Sequence, residues 1–246
     1  MSDEGFLIDP RVFKSETISP YVSVTYRNKL TNDMINTFLD TVVGGAIGVA
    51  ASYGSRCVLN TIAFSSASRI LLVQLSSSSR CTGKARKGQK NRLTAPCSLV
   101  EAILCHPDIT KYTFKMDKLS TAIYLDLGLR ITNGVDILSV AKGERHSVEA
   151  LMSALGGETT LNKAAVTALF IDDETRSDIR ATATRAWMAC HSGLLPDMSN
   201  RLARVARVNT QNMNVQVSQM LSLPHFAEYL FSISPSLQRL FEMQIA

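Results

Sequence analysis

Apolar residues recur along this chain with two periods, and the switches between them divide it into elements. YVSVTY (21–26) alternates residue by residue, as a strand or an extended lead-in does. In TNDMINTFLD (31–40), Met34, Ile35, Phe38 and Leu39 fall on one helical face and Thr31 is placed to cap it, so a helix is predicted. Gly44 and Gly45 end that pattern. Three β-rich runs follow: AIGVAAS (46–52), CVLNTIAFS (57–65) and RILLVQLS (69–76). Only SAS separates the last two, which predicts an antiparallel meander with short turns.

The stretch 77–96 is rich in Ser, Gly, Lys and Arg, has no apolar period and reads as a loop. Ser98 and Glu101 form a capping-box pattern, predicting a helix that opens there and runs to about Cys105. DITKYTF (108–114) predicts a strand and DKLSTAIYLDLGL (117–129) a helix, while GVDILSVA (134–141) reads equally as a strand end or a short helix. SVEALMSALGG (147–157) predicts a short amphipathic helix stopped by its two glycines. DDETRSDIRATATRAWMACHSG (172–193) predicts a long helix with acids in its first turn. Past Pro196, Arg201, Arg204 and Arg207 recur every third residue, as on a solvated helix face. Residues 223–244 concentrate aromatic and leucine side chains, divided by Pro224 and Pro235 into two short helical pieces. No internal repeat is visible.

The order is mixed α/β. A meander continued by parallel strands is the layout of the ribonuclease H-like mixed sheet flanked by helices, here with a helical C-terminal extension. The expected division is a lead-in at 1–20, the main domain at 21–195 and the extension at 196–246.

Composition narrows the setting. With 46% hydrophobic and 19% charged residues, the 246-residue chain is globular and long enough to bury a full core. Its apolar runs, the one around residues 70–75 included, fall far short of the roughly 20 residues that span a bilayer. MSDEGFLIDP lacks the layout of a secretory signal, so the chain is expected to be soluble and intracellular, nuclear or cytoplasmic, with no membrane partner. Five cysteines, Cys57, Cys81, Cys97, Cys105 and Cys190, are an odd number without C-x-x-C spacing and read as reduced thiols. His106, His146, His191 and His225 have no metal-ligand spacing. A net charge of +5 permits a nucleic-acid partner without requiring one.

From about residue 20 to 195 the run of segments resembles the 3′–5′ exonuclease domain of the DEDD superfamily, which includes Rrp-type exosome nucleases and the Werner-type exonuclease. IGVAAS (47–52) falls where that family has its first acidic strand, and HPDITK (106–111) matches its helix-to-strand link. LGLRITNGVDIL (127–138) matches its turn into an Asp-bearing strand, and ATATRA (181–186) its last motif. The resemblance places the family's first Asp on Ala50, its Glu on Ser52, its second Asp on Leu119, its positioning Tyr on Ala181 and its final Asp on Arg185. A two-residue shift offers Asp117 in place of Leu119.

In that family two divalent cations roughly 4 Å apart create the hydroxide and stabilise the leaving oxygen. Such hard ions want carboxylate oxygen. Beside Arg185 each positive charge of a metal at that separation meets about 4 kcal/mol of repulsion at an effective dielectric of 20. The resemblance therefore implies a degenerate exonuclease that is not an enzyme, holds no metal or other cofactor, and serves as a protein-interaction scaffold or adaptor in RNA processing or gene silencing. An alternative is an RNA-binding module that uses the old substrate groove without cutting. A third is an active nuclease using Asp117, Asp136 and Asp172 or Asp173.

Two further clusters carry contact expectations. Arg80, Lys84, Arg86, Lys87, Lys90 and Arg92, with no acid between them, form a candidate phosphate-contacting arm; lacking aromatics, its RNA binding would be weak, sequence-tolerant and salt-sensitive. Phe226, Tyr229, Leu230, Phe231, Leu240 and Phe241 form a candidate apolar surface for a protein partner or a second copy in a homodimer.

Overall fold

The computed structural model describes residues 5–54, 58–75, 95–141, 147–170 and 178–210. Seven strands form one mixed sheet: β1 (Gly5–Leu7), β2 (Tyr21–Tyr26), β3 (Ala46–Tyr53), β4 (Leu59–Ser65), β5 (Arg69–Gln74), β6 (Thr110–Thr113) and β7 (Gly134–Asp136). Their spatial order is β1-β2-β5-β4-β3-β6-β7. The meander β3-β4-β5 is antiparallel, and β6 then β7 continue beside β3 in parallel. That is the ribonuclease H-like arrangement. β2 adds in parallel to β5, and β1 pairs antiparallel with β2.

Helices cover both faces. α1 (Asn32–Leu39), α2 (Ala95–Leu104) and α3 (Met116–Leu127) pack on one side through Ile35, Phe38, Val100, Ile103, Leu119 and Ile123. On the other lie α4 (Val148–Ala154), α5 (Lys163–Phe170), α6 (Ile179–Leu194) and α7 (Pro196–Leu202), contributing Leu151, Val166, Ala186, Trp187 and Met198. The capping predictions explain several boundaries. Thr31 Oγ1 accepts from the Met34 amide and Ser147 Oγ from the Ala150 amide. Gly156, in the left-handed region at φ +91°, ends the short helix at 148–154.

Strand β3 is built of alternating large and small residues, and this decides how α6 lies. Ile47, Val49 and Tyr53 enter the core under α1–α3, while Ala46 and Ala50 face α6. Gly48 on that second face sits against the helix backbone itself: a Cβ there would come within 1.8 Å of the Ala186 carbonyl and 2.5 Å of the Cys190 amide. Gly193 makes a matching approach to the ring of Tyr112. The seam between α6 and the sheet is small residue on small residue.

Several elements differ from expectation. α2 opens at Ala95, so Ser98 lies inside the helix and exposed; Pro96 takes the first turn, where a missing amide costs nothing. The long helix begins only at Ile179, because Asp178 is an extended N-cap whose carboxylate accepts from the Arg180 amide. Residues 134–141 are both things at once, β7 followed by a 3-10 turn at Ile137–Val140. α7 stops at Leu202, so Arg201, Arg204 and Arg207 do not share a helical face. Arg201 instead donates to the carbonyls of Ala154 and Val140 at 2.9 Å each, and Arg207 to the Thr110 hydroxyl at 2.9 Å.

Both ends of the described chain join the same sheet. Ile8, Val12 and Phe13 belong to the core under α6. Val208 exchanges backbone hydrogen bonds with Gly134 at 2.7 and 3.0 Å, laying residues 208–210 along the outer edge of β7. Among the described residues, no helix is long and apolar enough to cross a membrane.

Candidate functional site

β3 and β6 are parallel neighbours, and β6 stops beside the middle of β3, leaving a crevice along the carboxyl half of β3, the usual end of an open α/β sheet for a ligand. A cavity of about 40 Å³ opens there. Ala50, Ala51 and Tyr53 come to it from β3, Thr113, Phe114 and Lys115 from the end of β6, and Lys118 and Leu119 from the first turn of α3. Phe170 closes it from the end of α5 and Arg185 from the middle of α6. Residues of both helical layers meet in this pocket because it sits at the rim of the sheet, where its two faces join.

The lining is cationic and aromatic. Lys115, Lys118 and Arg185 contribute three positive charges, and among the described residues that line it there is no Asp or Glu. Arg185 is only 6% exposed. Phe114 and Phe170 stand edge to face with centroids 5.2 Å apart, and the Lys118 Nζ lies 4.4 Å from the centre of the Tyr53 ring.

The structure brings Ala50, Leu119 and Arg185 into this one cavity. Ser52 is fully buried nearby on β3, its Oγ without a hydrogen-bond partner. Ala181 goes elsewhere, to a second cavity of about 360 Å³ between the N-terminal segment, α5 and the start of α6, which Asp9, Arg11, Asp178, Arg180 and Thr184 also line. Asp117 is exposed on α3, and Asp136 is buried and spends an oxygen on the Leu138 amide. Asp172 and Asp173 lie outside the described residues, as do Arg80, Lys84, Arg86, Lys87, Lys90 and Arg92, and Phe226, Tyr229, Leu230, Phe231, Leu240 and Phe241.

The described part of this lining offers no carboxylate to the pair of divalent cations implied by the resemblance. Thr113 offers a neutral hydroxyl and Tyr53 a phenol, while the three cations repel a metal. Among the described residues, no group of three or more His, Cys, Asp or Glu could hold a metal ion.

Sequence reasoning missed Lys115 and Lys118. The signal was present in FKMDK (114–118): two lysines stand at a strand-to-helix junction, one at the N-cap and one in the first turn. Two buried groups outside the pocket are structural. Lys111, fully buried, donates through Nζ to the His106 carbonyl at 2.5 Å and the Thr132 hydroxyl at 3.4 Å, and burial lowers its pKa to about 8. Cys190 is a thiol pushed up to about 12 by burial, hence unreactive.

No protein-family model and no curated protein sequence matches this chain. Solved structures do. The catalytic core of RRP6 from Trypanosoma brucei is 19% identical with a TM-score of 0.40, over 76% of this chain and 49% of that one. This chain thus spans about half the length of that structure. The EXD2 exonuclease domain soaked in Mg and GMP is 12% identical with a TM-score of 0.36, over 74% of this chain and 85% of that one. The same domain soaked in Mn and GMP gives 13% and 0.34.

The expectation that the chain is not an enzyme does not stand. The solved structures it matches are exonuclease domains, and nothing in the described residues shows that activity has been lost. Asp172, Asp173 and Glu174 follow pocket-lining Phe170 in sequence and lie outside the described residues, so the acid-free lining does not decide catalysis.

Proposed function

We propose that this exonuclease-like chain binds single-stranded nucleic acid, RNA foremost, with the strand's phosphate in the pocket at the carboxyl ends of β3 and β6. One observation carries the reading: Lys115, Lys118 and Arg185 line that pocket beside Tyr53, Phe114 and Phe170. Cations for phosphate and aromatic faces for bases are the two components of sequence-tolerant strand binding. An intracellular site of action, nuclear or cytoplasmic, goes with such a ligand. The test is fluorescence anisotropy with a labelled single-stranded RNA across a salt series. Affinity that falls linearly with log salt supports the reading, and absence of binding at low salt ends it. The same labelled strand incubated with Mg²⁺ or Mn²⁺ reads cleavage directly.

A scaffold or adaptor role in an RNA-processing or gene-silencing complex is the second reading. Leu7, Ile18 and Tyr21 are 58%, 73% and 40% exposed, and Leu7 pairs with Tyr21 where β1 forms the open edge of the sheet. An apolar edge strand is a template for another chain. Sedimentation of the protein against its Leu7→Lys variant tests for a homodimer on that edge: a mass that drops to the monomer supports it, and identical monomeric masses oppose it.

A further inference from the structure

We infer that the larger cavity, between the N-terminal segment, α5 and the start of α6, takes a nucleobase of the bound strand, and by preference one that carries an exocyclic amino group. The inference rests on the nucleic-acid reading above and adds the kind of base that is selected.

Size and walls come first. A cavity of about 360 Å³ falls in the range of roughly 300–1,000 Å³ that small-molecule sites occupy. The helices leave this space open: Ala165 and Ala168 of α5 and Ala181 of α6 are too short to fill it beside Ile8, Val12 and Leu169. Aliphatic walls of this kind suit the faces of a base ring. The cavity also adjoins the smaller pocket. Leu169 precedes Phe170 and Thr184 precedes Arg185, and the second residue of each pair lines the pocket beside β3. The two sites thus share α5 and α6 as walls, and a strand held in one comes within reach of the other.

The polar groups choose the occupant. Among the described lining residues, Asp9 and Asp178 stand with Arg11 and Arg180. A phosphate gains little from such a mixture of signs, whereas the edge of a base sets a donor beside an acceptor and uses both. Asp9 and Arg11 close on each other, with the guanidinium donating at 2.7 to 2.9 Å. Asp178 gives one oxygen to the Arg180 amide at 2.8 Å as the cap of α6, and an ionised carboxylate has acceptor capacity beyond one such bond. It accepts from a base amine, as acidic side chains accept from the N4 amine of cytosine. Arg180, its guanidinium 4.5 Å from the centre of the Phe6 ring, supplies the donor for the ring nitrogen next to that amine.

The test compares oligo(C) with oligo(U) of one length, since the two bases share ring size and backbone and differ along this one edge. Fluorescence anisotropy at low salt should show oligo(C) binding about tenfold tighter. Ala168→Phe fills the cavity from an exposed position on α5, and Asp178→Ser removes the carboxylate while keeping a side chain that caps α6. Each should bring oligo(C) down to the level of oligo(U) while circular dichroism stays native. Equal or reversed affinities in the parent overturn the base inference and leave strand binding standing. A preference for oligo(C) that survives both variants also overturns it, because the selection then lies outside this cavity. If neither strand binds, the nucleic-acid reading falls and this inference with it.

Discussion

Gly48 on β3 and Ala186 on α6 are in backbone contact: a Cβ on Gly48 would sit 1.8 Å from the Ala186 carbonyl oxygen. Arg185 precedes Ala186 and Ala50 follows Gly48 by two residues, so this contact sets how far the guanidinium stands from the floor of the pocket. Gly48→Ala must push α6 off the sheet. We expect a loss of about 3 kcal/mol or more in urea-induced unfolding, together with weaker RNA binding. A stable variant with unchanged affinity would show that the seam does not position the pocket.

The lysines of α3 should be visible in the salt dependence. If Lys115 and Lys118 each neutralise strand phosphate, Lys115→Ser and Lys118→Ser will each reduce the slope of log affinity against log salt by about 0.7. Parallel lines for the variants and the parent would place the strand elsewhere on the surface.

Lys111 gives a stability signature in alkali. Its pKa lies at about 8, below the ordinary 10.5, because burial disfavours the charged form. Between those values the unfolded chain binds more protons, so this group raises stability as pH climbs through the window. Lys111→Met should flatten that rise in the urea midpoint, whatever it does at neutral pH by leaving the His106 carbonyl without its donor. An unchanged alkaline rise would assign it to another group.

His191 gives the acid counterpart. It stacks 4.4 Å from Phe13 and 5.5 Å from Trp187 by ring centroids, with Nε2 3.4 Å from Glu16. Burial lowers its pKa, outweighing the opposite pull of Glu16. Stability from this contact is therefore full above the ordinary histidine range and falls as pH drops through the lowered value. His191→Phe should lose less stability than the parent between about pH 7 and about pH 5. Trp187, the only tryptophan, reports the transition by fluorescence. An equal acid loss in both proteins would release His191 from the role.

Much of the fold was legible in the residues. The three β-rich runs between 46 and 76 and the short link between the last two dictate the meander, and Thr31 and the glycines at 156 and 157 mark helix ends through local hydrogen bonding and dihedral freedom. Local signals also misled. Ser98 and Glu101 have the spacing of a cap, yet α2 begins upstream of them. α5 escaped notice because an alanine-rich stretch such as KAAVTALF is given its direction only by the core that it covers.

The candidate site divides in the same way. In the sequence, the resemblance singled out Arg185 as a cation on the position of the family's final Asp, and the structure shows it buried. What gathers around it was decided by tertiary structure. Lys118, Tyr53 and Phe170 come from three different elements and Lys115 from the link into α3, and they meet because β6, parallel to β3, stops short of it and leaves a crevice at the rim. Periodicity records which face of its own element a residue occupies; it carries no term for the separation between two elements. That distance is fixed by how closely the backbones of Gly48 and Ala186 can pack.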